Sequence, residues 1–79
     1  MTDVHVPKMG MSTVEVDVVS VLVAVGDAVQ VGDELVEIEG DKATFAIEAE
    51  VAGTVAEVLV EVGDEREVGD VVVRIEEAR

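Results

Sequence analysis

An all-β domain made of two similar halves is the fold class this sequence predicts, and three observations predict it. Valine dominates the apolar 49% of the chain and Phe45 is the only aromatic residue; valine's branched Cβ stiffens χ1 and favours extended backbone. A repeat runs through the sequence at an offset of 37 positions. Val21-Leu22-Val23-Ala24-Val25-Gly26-Asp27 returns as Val58-Leu59-Val60-Glu61-Val62-Gly63-Asp64, Val31-Gly32-Asp33 as Val68-Gly69-Asp70, and Val36-Glu37-Ile38-Glu39 as Val73-Arg74-Ile75-Glu76. The windows 21–39 and 58–76 share 12 identities in 19 positions, as expected of two halves closing on one another in a chain too short for an array. The Gly-Asp pairs at 26–27, 32–33, 63–64 and 69–70 punctuate the apolar runs, supplying permissive backbone and Asx hydrogen bonds for turns. With 79 residues there is room for one domain, 1–79, with halves of about 1–40 and 41–79, and for a core of modest size.

The elements follow in order. Strands are expected at 4–8, 14–25 with a break, 35–39, 44–50, 51–62 with a break, and 71–76, separated by the Gly-Asp turns. The breaks come from parity. Val14, Val16 and Val18 occupy even positions, then Val19, Val21, Val23 and Val25 odd ones; in the second copy Val51 and Val55 are odd, then Val58, Val60 and Val62 even. Because side chains alternate with period two, each run must bend or bulge where its apolar face switches, and such corners let a strand pass between sheets. Between 35–39 and 44–50 parity also finds the hairpin tip. With Asp41 and Lys42 as the two loop residues, Ile38 faces Phe45 and Val36 faces Ile47, while Glu39 faces Thr44 and Glu37 faces Ala46; large apolar residues sort to one face and glutamates to the other. Asp-Lys lacks the glycine of primed turns, so a type I geometry is expected. Subtracting 37 from Lys42 gives His5, so the N-terminal strand around Val4 and Val6 should lie beside Val73 and Ile75, with both termini at the pole opposite Lys42.

Composition removes whole classes of function. A formal charge of −14 with only five Lys and Arg argues against nucleic acid and anionic membrane, which need clustered cations; the acidity serves solubility or steering toward basic surfaces. No apolar run approaches spanning length and the start lacks a basic n-region followed by an h-region, so a soluble cytoplasmic chain is expected. Cysteine is absent, which leaves no disulfide framework or thiolate site. His5 is the only histidine, too little for a histidine-based triad or zinc site. The carboxylates lack the one-loop spacing of an EF-hand, and no Gly-rich phosphate loop follows a strand. No catalytic and no metal-ligating residue is expected.

Taken with Val6-Pro7-Lys8-Met9-Gly10-Met11, Glu37-Ile38-Glu39 leading into Asp41-Lys42-Ala43, and Gly53 followed by Val58-Leu59-Val60, the chain resembles the lipoyl domains of the acyltransferase components of 2-oxo acid dehydrogenase complexes. The likeness spans nearly the whole chain. It implies a flattened barrel-sandwich hybrid of two antiparallel four-stranded sheets with internal pseudo-two-fold symmetry, and lipoic acid attached as N6-lipoyllysine at Lys42. It further implies recognition of the hairpin tip through Asp41 and Ala43, with Glu39 and Gly40 flanking. The implied partners are a 2-oxo acid decarboxylase, the acyltransferase core, dihydrolipoyl dehydrogenase and a lipoate-attaching enzyme, served by a domain that is itself monomeric and non-catalytic. Two positions depart from the family's pattern. Gly40 stands where Thr or Ser is usual, and Glu15-Val16 where Glu-Gly is common; Gly40 is expected to loosen the turn and alter recognition by the lipoylating enzyme.

Lys42 suits that role chemically, since a long flexible stem ends in an amine that can form an amide. A random exposed lysine is ordinarily a solvated loop charge, and Asp41 ordinarily a turn former; the repeat, the hairpin parity and the motif together favour modification. Biotinyl domains are the nearest rival, but they flank their lysine with methionines, and here Met9 and Met11 flank Gly10 while Lys8 lies in the N-terminal segment. An unmodified barrel-sandwich acting as a structural module is the third reading. A glycine-cleavage carrier is a further variant, although that family is longer.

Overall fold

A computed structural model of the chain describes residues 1–8, 15–40 and 43–78. They form eight strands: β1 (Thr2–His5), β2 (Glu15–Val21), β3 (Ala28–Val29), β4 (Glu34–Glu39), β5 (Thr44–Glu48), β6 (Gly53–Val58), β7 (Glu65–Glu67) and β8 (Val71–Glu77). These make two antiparallel four-stranded sheets, one ordered β1-β8-β6-β3 and the other β5-β4-β2-β7. The all-β expectation and the flattened two-sheet sandwich are both met.

The repeat is visible in the pairing itself. Asp17, Val18, Ser20 and Val21 pair with Glu39, Ile38, Glu37 and Val36; 37 residues on, Thr54, Val55, Glu57 and Val58 pair with Glu76, Ile75, Arg74 and Val73. Val19 and Ala56 are skipped at equivalent bulges. Those bulges are the breaks that parity demanded. Val16 and Val18 are buried before the first, and Val21 and Val23 pack against the core after it. Each broken run does change sheets, β2 continuing into β3 of the other sheet and β6 into β7.

Three sequence expectations need correction. The short strands β3 and β7, two and three residues long, were not foreseen, because each lies between two turns and offers no alternation to read. The first strand covers Thr2–His5 rather than 4–8, since its register is fixed by β8, where Thr2 faces Ile75 and Val4 faces Val73, and since Pro7 has no N–H to donate. His5 is not the repeat mate of Lys42. Val4 opposite Val73 corresponds to Ile47 opposite Val36, so the outer strands match at a wider offset than 37, and His5 corresponds to Glu48. The longer β1–β2 connection of the first half is the cause.

Four turns of one kind hold the corners. In Ala24-Val25-Gly26-Asp27, Gly26 has φ +96°, the Asp27 N–H donates to Ala24 O at 3.0 Å, and the Asp27 Oδ2 accepts the Ala24 N–H at 2.8 Å. This is a type II turn, whose third residue must take positive φ. Gln30–Asp33, Glu61–Asp64 and Glu67–Asp70 repeat it, each with the same aspartate acceptor.

Between the sheets lies a core of aliphatic side chains, with Leu35, Val36, Ile38, Val72, Val73 and Ile75 fully buried and Phe45 packed against its edge. No polar or charged residue among those described is buried. The body is 38 Å long, and the run from β2 to β3 travels along it, starting beside Glu39 and ending beside Gly53, itself next to Glu77. The β4–β5 end and the chain termini therefore stand at opposite poles.

Candidate functional site

Register places the hairpin end of β4 and β5. Val36, Glu37, Ile38 and Glu39 pair with Ile47, Ala46, Phe45 and Thr44, the register that side-chain sorting required. Beyond Glu39 and Thr44 the Gly40 N–H donates to Ala43 O at 2.9 Å, which closes the ladder with two residues left between. Those two, Asp41 and Lys42, lie outside the described residues, as does the turn type expected of them. Met9, Met11 and Val14 lie outside as well. Glu39 and Ala43 are exposed and Gly40 is half-buried, so the flanks of the tip open to solvent, and nothing in them encloses a group attached there.

The apolar side of the hairpin is held by Val36, Ile38 and Ile47 in the core. Its outer side carries Glu37 between Ser20 and Ala46. At the repeat mate of Glu37 on the other sheet stands Arg74, whose Nε donates to Asp3 Oδ1 at 3.1 Å and whose Nη1 donates to Glu57 Oε1 at 3.3 Å. The hydrogen bond to Glu57, then the charges of Asp3 and Glu57, hold that guanidinium above its ordinary range. The two sheets thus present a cation and an anion at the same place, and the hairpin sheet is the anionic one.

Arg66 is a residue that sequence reasoning missed. It pairs with Val16 in the β2–β7 ladder and is half-buried, its Nη2 donating to Leu59 O at 3.2 Å and to Asp64 Oδ2 at 3.0 Å and its Nη1 to Glu65 O at 2.9 Å. The guanidinium thus ties β7 to the Leu59 carbonyl and the Asp64 carboxylate on either side of the Glu61–Asp64 turn. A signal was present, since Arg66 occupies the repeat position of buried Val29, a cation in an apolar slot. Among the described residues no group of His, Cys, Asp or Glu could hold a metal ion.

A strand sandwich whose halves repeat, closed at one pole by a tight hairpin, defines the class of protein. The model of the biotin and lipoyl family, described as "Biotin-requiring enzyme", matches residues 2–75, and the chain belongs to that family. Among curated proteins it is 43% identical over 54 residues to the dihydrolipoyllysine-residue acetyltransferase component of the pyruvate dehydrogenase complex of Corynebacterium glutamicum, a match covering 68% of this chain and 8% of that one. The chain therefore spans under a tenth of that relative's length. Among solved structures it is similar to the Kluyveromyces lactis urea carboxylase, with TM-score 0.79 and 29% identity over 95% of this chain and 6% of that one. It shares its fold with the lipoyl domain of the 2-oxoglutarate dehydrogenase complex from Azotobacter vinelandii, with TM-score 0.75 and 24% identity over 96% of this chain and 99% of that one. No helix among the described residues is long and apolar enough to cross a membrane.

Proposed function

We propose that this domain is a covalent lipoyl carrier, with Lys42 acylated on Nζ by lipoic acid and the loaded arm visiting successive enzymes of a 2-oxo acid dehydrogenase complex. The single observation that carries the reading is the hairpin register, which ends at Gly40 and Ala43 and leaves only Asp41 and Lys42 to close the turn. When bound, the dithiolane supplies the acyl-carrying and redox chemistry, as cofactors generally do while the protein orients them. The domain's own contribution is rigidity below and openness above. Val36, Ile38 and Ile47 fix the hairpin to the core, and exposed Glu39 and Ala43 leave the attachment point accessible, Ala43 through its small size. Asp41 serves as turn former and recognition residue. Tethering raises the effective concentration of the carried group at each successive site.

The partners in this reading are a 2-oxo acid decarboxylase, an acyltransferase core, dihydrolipoyl dehydrogenase and the lipoate-attaching enzyme, and the likeness to the acetyltransferase component favours pyruvate as the acid served. The domain is non-catalytic and works in the cytoplasm as part of the same proposal. Biotin is the second reading, favoured by the likeness to a urea carboxylase. Expression with lipoate and biotin both supplied, followed by intact-protein mass, separates the two. The expected product carries one lipoyl group, and Lys42→Arg, which keeps the charge but has no acylable amine, carries none and stays folded. A lipoyl adduct persisting on Lys42→Arg, or a biotinyl adduct on the parent domain, overturns the assignment.

A further inference from the structure

A strand at the edge of a sheet leaves every second N–H and C=O without a partner, and proteins ordinarily shorten, bulge or charge such edges against unwanted pairing. The four edges here are β1 and β3 on one sheet and β5 and β7 on the other. Three of them are blunted. β3 has two residues and β7 three, including the cationic Arg66, while β1 has four and is stopped at Pro7, which has no N–H. β5 has none of these devices. It is five residues long, Thr44–Glu48, holds no proline, lysine or arginine, and runs unbroken, because the extra residue of the β4–β5 bulge is Leu35 on β4.

Parity fixes which groups of that edge are open. Ala43 O accepts the Gly40 N–H, and six positions on the Ala49 N–H donates to Asp33 O at 2.8 Å while Ala49 O accepts the Gly32 N–H at 2.9 Å. Ala43 and Ala49 both bond toward β4, so Phe45 and Ile47 between them do too, and the N–H and C=O groups of Thr44, Ala46 and Glu48 point away from the sheet. Beyond that edge lies a groove of about 730 Å³ whose other wall is β1. Its lining is apolar at Val4, Ile47 and Ala49, and at Pro7 and Val31, the last 68% exposed. Glu48 and Glu50 line it as well, and Glu34 stands opposite Glu48 in the ladder. None of these three carboxylates has an ion-pair partner among the described residues.

We propose that β5 is a docking edge that takes an extended segment of a partner protein as an added strand, one in which lysine or arginine alternates with small apolar residues. The period of two supplies the match. Side chains on the face of Ile47 would enter the groove, and those on the face of Glu48 would stand beside its carboxylate, with Glu34 one strand behind. Backbone bonds to Ala46 and Glu48 give affinity, and the alternating side chains give specificity. A second copy of this chain is the wrong occupant, since each copy brings a charge of −14 and like charges brought together suppress pairing. The inference goes beyond the carrier reading and needs no group on Lys42.

The probe is a capped peptide of about eight residues alternating lysine and valine, titrated into the nitrogen-15-labelled domain at low ionic strength. Binding is expected to slow exchange of the Ala46 and Glu48 amides about tenfold and to leave those of Asp3 and His5, on the other wall of the groove, unchanged. N-methylation of one alternate set of peptide amides should abolish binding while methylation of the other set spares it, and a peptide with the same residues in two blocks should bind about tenfold more weakly. On the domain, Ala46→Pro removes an outward N–H and no ladder bond, and Glu48→Lys reverses an exposed charge without touching the core; each should weaken binding about tenfold, the second variant deciding the matter if the first does not fold. Equal binding of the blocked peptide, indifference to both methylations, protection at Asp3 and His5 in place of Ala46 and Glu48, unchanged affinity in Glu48→Lys, or no binding at all overturns the proposal. So does a domain that sediments as a dimer with its Ala46 and Glu48 amides already protected. The mass of the lipoyl adduct is read separately, so failure here leaves the carrier reading standing.

Discussion

Gly53 shows how much one hydrogen atom in place of a methyl can decide. The backbone of β8 passes so close that a Cβ would meet the Glu76 carbonyl at 2.1 Å, and a carbonyl in a sheet cannot swing aside as a flexible side chain can. Gly53→Ala should therefore cost about 2–3 kcal/mol, the range of overpacking in a rigid setting, read as a fall in the urea midpoint at unchanged slope. Val25→Ala serves as the contrast, because Val25 is 65% exposed and such surface changes stay within about 0.5 kcal/mol. Equal effects at the two positions would remove the steric account of Gly53. The sequence displayed Gly53 plainly enough but not the reason for it, since close approach is a property of the partner strand. Val36, Ile38 and Ile47 were legible as core, because alternation alone sorts them from Glu37 and Glu39. Arg66 was hidden from that pattern, its value lying in backbone carbonyls that come near only after folding.

At the level of elements, turns and bulges carry most of the architecture. In each of the four turns an aspartate oxygen takes the N–H of the residue three before it, a bond to a charged acceptor that closes a loop having few others. Asp33 is a clean case, having no side-chain ion pair among the described residues. Asp33→Ala should cost about 1–2 kcal/mol and Asp33→Asn, which keeps an acceptor oxygen, about half as much; thermal or urea denaturation would show the order, and identical losses would mean that charge rather than the bond matters. These corners were readable as Gly-Asp pairs, and the bulges as parity switches at Val18–Val19 and Val55–Val58. The strands β3 and β7 were not, because two or three residues between turns have no period. The wider offset of the outer strands was equally hidden, for a repeat found by identity is blind where the copies no longer resemble each other.

For the whole molecule the balance of charge dominates. With a formal charge of −14 and five Lys and Arg, self-repulsion opposes the compact state; among the described residues Arg74 with Asp3 and Glu57 relieves it on one sheet, and Arg66 with Asp64 only at the β7 edge of the other. Screening falls within about 10 Å at 0.1 M ionic strength, a distance comparable to the spacing between sheets. Raising monovalent salt from a few millimolar to physiological strength should accordingly raise the melting temperature, and Glu37→Lys should raise it at low salt by supplying the missing cation. A melting temperature that is flat or falling with salt would show that repulsion is not a stability term here.

The placement of both chain ends on neighbouring antiparallel strands has a mechanical corollary. Val4 pairs with Val73 and Thr2 with Ile75, and Thr2 Oγ1 donates to a Glu77 carboxylate oxygen as a clasp across the opening. Tension applied through the two ends would load the β1–β8 seam as a zipper, one bond at a time, instead of shearing several together. The seam that yields first under such a pull lies at the pole opposite the β4–β5 hairpin end, which stays paired while the two ends part.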